Sequence, residues 1–295
     1  MPRDEAAAVD SGAVIDISAV TEQRISSVAD LIELEEELSF YTHFDWCFRG
    51  QPRTYGNLMP SFQRQFAREA VGAAAIIEGR LMSAFREHYT KLPDRSEEMP
   101  QPEHITSGFD LRCLSMMQHY EIPTRLLDWS SSIWTSSYFA CVSEPSKDAE
   151  LWFYDRHLFD DQRAGGSQFY SLLSTQSPPL PEASVLSERE AGLILELDPR
   201  ISPRMVQQVA HHTVSTEIFS DHAPLLYDKQ HDLNYLELHG VRGLRRKVID
   251  ASCKGKVLQF LAESKNITAS TIFPDVVGLG RFLRSQLDSL RTMMF

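Results

Sequence analysis

The sequence predicts a single domain of mixed α/β or α+β class, and three observations predict it. Short apolar strands are interleaved with amphipathic helices along the chain, with no internal repeat and no heptad run. The chain has 295 residues and is 42% apolar, enough for a real core in one large domain or two small ones. Its four cysteines stand far apart with no C-x-x-C pair, which argues against a zinc site of standard spacing. Cys47 and Cys141 lie in strongly apolar runs and read as reduced core residues.

In chain order, residues 1–22 lack firm periodicity and read as a flexible arm, with a single domain expected over 23–292. Ser27 followed by Asp30 resembles a capping box ahead of a helix near 27–39. Trp46–Phe48 reads as a short buried strand. Leu58-Met59-Pro60-Ser61-Phe62 turns into one long helix, with Phe62, Phe66, Ala70, Ala73, Ile77, Leu81, Phe85 and Tyr89 stepping by three and four. Polar, Pro-rich residues 93–108 form a loop. A helix follows over Leu111–Tyr120, stopped by Pro123. Thr124–Trp129 is a short strand, and Ser130, Ser131 and Ser132 offer N-caps to a helix over Ile133–Val142. Leu151–Tyr154 is a strand. Residues 158–190, with Gly165-Gly166 and Pro178-Pro179, read as an insertion or lid. Leu193–Leu197 is a strand and 204–240 is mixed. A strand ends at Val248-Ile249, a helix covers 253–265, and a terminal helix begins near Thr271.

The net charge of −12 makes the chain as a whole a poor non-specific nucleic-acid binder, because that affinity comes from neutralising phosphates. One basic stretch stands apart: Arg242, Arg245, Arg246, Lys247, Lys254 and Lys256. It reads as a solvated face, with a polyanion contact as the rival. No signal peptide and no apolar run long enough to cross a membrane is visible, so a soluble, cytoplasmic protein is expected.

The residues that could carry chemistry fall in three groups. In the first, a Trp-Cys-Phe run delivers Arg49 to a strand end, followed by Gly50, Gln51 and Arg53. A guanidinium is always charged and its donor fork suits phosphate or carboxylate, so Arg49 requires an anion from the protein or from a ligand. Gly50 lets a backbone or a ligand come close. The second group is Gln118-His119-Tyr120-Glu121-Ile122-Pro123-Thr124-Arg125-Leu126-Leu127-Asp128-Trp129-Ser130. Here His119 is a general base or the closing residue of its helix. Asp128, on the opposite strand face from Leu127 and Trp129, is a functional carboxylate or the partner of Arg49 or Arg125. Ser130 serves a pocket or caps the next helix. The third group runs from Arg204 through Gln207, Gln208, His211 and His212 to Thr213. Adjacent histidines on a strand point to opposite faces, so they do not make a two-ligand metal site, and no metal is expected. No glycine-rich dinucleotide loop, Walker A, H-E-x-x-H or G-x-S-x-G motif is present.

Together these blocks resemble the FRG domain family, named for its Phe-Arg-Gly motif. The likeness rests on Phe48-Arg49-Gly50-Gln51, Leu58-x-Pro60-Ser61, the long block Gln118–Ser130 and Tyr138-Phe139-Ala140. It continues through Arg204-x-x-x-Gln208 to Ile272-Phe273-Pro274-Asp275-x-x-Gly278-Leu279, spanning roughly residues 40–285. Glu121 stands where a glycine is usual, and Ala210 and His212 where a glycine and a phenylalanine are usual. FRG domains are mostly uncharacterised bacterial and viral modules, which implies a toxin or antiviral defence setting. The order of parts is also similar to ADP-ribosyltransferases of the Arg-Ser-Glu type. That second resemblance implies an α+β fold of mixed or antiparallel sheets with flanking helices, arranged as a split β-sandwich.

It also implies NAD as substrate, a nucleotide small molecule as partner, a possible macromolecular target, and no metal. By position, Arg49 corresponds to the arginine that holds the pyrophosphate and Ser130 to the serine near the nicotinamide ribose. Gln208 falls where the carboxylate that grips the ribose should be. His119 completes the expected catalytic set, and Gly50, Gln51, Tyr120, Thr124, Arg125 and Asp128 are expected to line the nucleotide site. Gln208 lacks the charge, so Glu217 or Asp128 could supply the carboxylate. The rival implication is a non-catalytic module that senses a nucleotide or another ligand.

Overall fold

The computed structural model describes residues 17–40, 42–69, 71–92, 111–160, 194–197, 210–215 and 217–273. Its helices are α1 (Val28–Phe40), α2 (Ser61–Phe66), α3 (Val71–Tyr89), α4 (Leu111–His119), α5 (Ile133–Cys141), α6 (His222–Asp232), α7 (Tyr235–His239), α8 (Lys254–Ser264) and α9 (Ala269–Ile272). Its strands are β1 (Trp46–Gln51), β2 (Leu126–Ser130), β3 (Ala149–Asp155), β4 (Ile194–Leu197), β5 (Ala210–Ser215) and β6 (Leu244–Ile249). The strands form one six-stranded sheet in the order β4-β5-β2-β1-β3-β6. Every neighbouring pair is antiparallel. The fold is therefore α+β.

Strand alternation sorts the core into layers. Trp46, Phe48, Leu151, Phe153 and Ile249 face one side, where α5, α1 and α8 cover them with Trp134, Tyr138, Leu31, Leu34 and Val257. Cys47, Trp129, Trp152 and Tyr154 face the other side, covered by Leu58 and by Ala223 and Leu226 of α6. At the β2–β5 end, Leu126 and Val214 meet Cys113, Leu114 and Met117 of α4 and Met82 of α3. All four cysteines are buried and unbridged. Among the described residues, no helix is long and apolar enough to cross a membrane.

Caps legible in the sequence take their places. Ser27 Oγ accepts the Asp30 amide while Asp30 accepts the Ser27 amide in return. Ser132 caps α5 through the Thr135 amide. Glu121 adopts a left-handed φ of 63°, the region that favours glycine.

Three expectations need correction. The single helix expected from Phe62 to Tyr89 is two, α2 and α3. Ala67-Arg68-Glu69 between them contains no breaker. At the start of α2 the Phe62 amide bonds the Thr124 carbonyl, and its ring packs with Phe66 and Ile218. Secondly, residues 17–22 of the expected arm are tied down. Val20 is fully buried, and the chain runs parallel to β6, with Glu22 N and Ile25 N bonding the carbonyls of Arg246 and Val248. Thirdly, the basic stretch is a solvated face only at Arg242 and Lys256, and three of its members are buried. Arg245 pairs with Glu22 and Glu37, Arg246 with the buried Glu150, and Lys254 is buried against backbone carbonyls. The expected lid at 158–190 lies almost wholly outside the described residues, apart from a short 3-10 turn over Arg156–Phe159.

Candidate functional site

β1 and β2 touch at one register pair, Phe48↔Ser130, and part beyond it, whereas β1 and β3 pair along their full length. Arg49 reaches across the parting. Its Nη1 donates to the Asp128 carbonyl at 2.8 Å. A cleft of about 350 Å³ opens there, lined by Arg49, Gly50, Asp128, Ser130, Ser136 and Phe139 among others.

Arg49 is half-buried and forms no ion pair among the described residues, and its Nε has no hydrogen-bond partner. Burial pulls its pKa down to about 10; Asp128 opposes that fall and the neighbouring Arg64 guanidinium adds to it. A cation desolvated beside a second cation is stabilised by a bound anion.

Gly50 is required by the approach of α5. A Cβ there would collide with the Ser136 carbonyl oxygen and come within 2.7 Å of the Ala140 amide nitrogen. Ser136 Oγ in turn donates to the Phe48 carbonyl at 2.9 Å. Ser130 is buried on the cleft floor and its Oγ accepts the Ser132 amide at 3.1 Å.

Asp128 is the exposed position in an otherwise buried strand. Its carboxylate does not meet Arg49. Oδ2 accepts from Gln118 Nε2 at 2.9 Å, and Oδ1 lies 3.8 Å from His212 Nδ1. Gln118 is itself oriented by the Thr124 hydroxyl, which donates to its Oε1 at 2.6 Å.

Behind Arg49 lies a buried chain. Trp129 Nε1–H donates to Thr213 Oγ1 at 2.9 Å, and that hydroxyl is 2.9 Å from His222 Nδ1. The indole can only donate, so the Thr213 hydroxyl accepts from it and keeps its proton and a second lone pair for the His222 side. Burial and then the Arg49 charge push the His222 pKa down to about 3.

The cleft therefore gathers Arg49, Gly50, Asp128 and Ser130. Other expected site residues lie elsewhere. Arg125 makes a two-pronged buried pair with Glu78 of α3. Gln51 is buried and spends its amide on the Asn57 carbonyl and the Glu150 carboxylate. Thr124 is fully buried and acts through Gln118. His119 ends α4 with its ring edge-on to Tyr120, and Tyr120 packs on Phe85 and Tyr89. Neither ring lines the cleft among the described residues. Gln208 lies outside those residues, and Glu217 is exposed beyond β5. Among the described residues no cluster of side chains could hold a metal. Arg64 and His222 carry site roles that sequence reasoning missed. Gln118 and Thr213 sat in the second and third groups, though with no role given to either side chain.

A profile of the FRG domain matches residues 45–149. This range contains Arg49, Gln118, Asp128 and Ser130 and ends before β5. No curated protein and no solved structure matches the chain.

Proposed function

Because residues 45–149 of this chain are an FRG domain, we propose that its cleft binds an adenine dinucleotide, NAD, and that the protein is an ADP-ribosyltransferase-like enzyme. The observation that carries this reading is Arg49, a half-buried guanidinium beside an open cleft with no ion pair to a carboxylate among the described residues. Arg49 holds the pyrophosphate, with Arg64 adding positive potential. Ser130 borders the pocket from the β2 end. In the reaction the bond from the ribose anomeric carbon to nicotinamide breaks, and its electrons leave with nicotinamide. A new bond forms from that carbon to the oxygen of water or of a macromolecular target, which releases its proton.

A second reading, a non-catalytic nucleotide sensor, is favoured by one observation. Among the described residues the cleft lining contains a carboxylate but no histidine, since His119 faces Tyr120. Turnover separates the two. Mass spectrometry of purified protein with NAD is expected to show free nicotinamide. ADP-ribose binding without nicotinamide release identifies the sensor. Calorimetry with Arg49→Ala is expected to show ADP-ribose affinity lowered by about tenfold to a hundredfold, the cost of a charged hydrogen-bonding group. Wild-type affinity in that variant overturns both readings.

A further inference from the structure

We propose that Ser131 and His211 form a nucleophile–base pair, and that the cavity beside Ser131 takes an uncharged ester with an aromatic or aliphatic acyl group and hands that acyl group to water. This activity is independent of the reading of Arg49.

Ser130, Ser131 and Ser132 join β2 to α5, and their hydroxyls are used differently. Ser130 Oγ accepts the Ser132 amide at 3.1 Å, and Ser132 Oγ accepts the Thr135 amide at 3.2 Å. Ser131 Oγ instead lies 2.8 Å from His211 Nε2, with Cys47 Sγ at 4.0 Å. The register explains the meeting. His211 pairs with Trp129 across β2 and β5, and Ser131 follows Trp129 by two residues, so the ring lies beside the next position on that face. His211 is buried and Ser131 half-buried. A serine hydroxyl within hydrogen-bond reach of an imidazole nitrogen is the arrangement that activates it as a nucleophile.

Ser131 also lines a cavity of about 380 Å³, whose lining shares only Phe48 with that of the Arg49 cleft. Phe44, Trp46 and Trp134 wall it, which suits an aromatic or aliphatic acyl group. Glu35 and Asp45 in the same lining disfavour an acyl group that carries negative charge. The first turn of α5 follows directly. The amides of Ile133 and Trp134 have no partner within the helix and supply donors for an oxyanion.

In the reaction the Ser131 oxygen bonds to the ester carbonyl carbon while its proton passes to His211 Nε2, and the carbonyl π pair moves onto oxygen. That pair then returns, and the bond from carbon to the alcohol oxygen breaks. Its electrons leave with the alcohol, which takes the proton from His211. Water repeats the sequence on the acyl-serine, releases the carboxylic acid and restores the Ser131 hydroxyl.

The test treats the full chain with a fluorophosphonate, which phosphonylates an activated serine, and separately with 4-nitrophenyl butyrate. Peptide mass spectrometry is expected to place the adduct on Ser131 in native protein and to find none after heat denaturation. Ser131→Ala is expected to lose both the adduct and the release of nitrophenolate. His211→Gln is expected to slow labelling by about a hundredfold or more, the contribution of a general base. Melting temperature checks that each variant is folded. If His211→Gln does not fold, the adduct position and Ser131→Ala still decide. No adduct on native Ser131, no nitrophenolate release above that of Ser131→Ala, or an unchanged labelling rate in folded His211→Gln overturns the proposal.

Discussion

Arg49 and Arg125 are chemically identical and both stand at apolar strands flanking the same cleft, yet their surroundings give them opposite roles. Arg125 is buried with Glu78 gripping both prongs of its fork, so its charge is already answered. Removing one partner of such a pair leaves a buried charge alone. Glu78→Ala is expected to cost about 3–5 kcal/mol in chemical denaturation. Arg49 has a carbonyl and no carboxylate, so Arg49→Ala should alter binding far more than stability.

His222 makes a second residue-scale prediction. Its native pKa is about 3, against about 6.5 in the unfolded chain. Above 6.5 neither state binds the proton. As pH falls through the window toward 3, the unfolded chain takes a proton that the native state refuses. Stability therefore falls by up to about 1.4 kcal/mol per pH unit from this group. Urea denaturation near pH 6 and near pH 4 should show a smaller loss for His222→Gln than for wild type. Gly50 is a matter of space. Gly50→Ala forces β1 and α5 apart and is expected to cost about 1–3 kcal/mol, read as a lowered melting temperature.

At the scale of elements, local chemistry and tertiary contact divide the credit. The capping signals of α1 and α5 were legible because a cap is a contact between residues three apart. The β1, β2 and β3 runs were legible as apolar strands, though each extends beyond its expected end. The break between α2 and α3 was not legible, since good helix formers occupy it. The segment before α1 was also misread. Thr21 and Ile25 bridge to Arg246 and Ile249 of β6, so a stretch without periodicity covers a sheet edge. Ile25 is buried there, and Ile25→Ala is expected to cost about 2–5 kcal/mol in a denaturant titration.

At the scale of the whole molecule, the sheet order places β1 and β2 side by side though they are far apart in the chain. Their parting makes the cleft. The sequence by itself determined a mixed α/β or α+β class, the FRG resemblance and the importance of an arginine after Phe48. Those follow from residue type and short spacing. Tertiary structure decided that Arg125 meets Glu78 while Arg49 meets a carbonyl, that Tyr120 packs on α3, and that Arg245, Arg246 and Lys254 of the basic stretch are buried. The physical reason is that charge pairing and burial depend on neighbours brought from distant segments. A motif can name an arginine, while the carboxylate that reaches it, or leaves it to a ligand, is settled by how the chain packs.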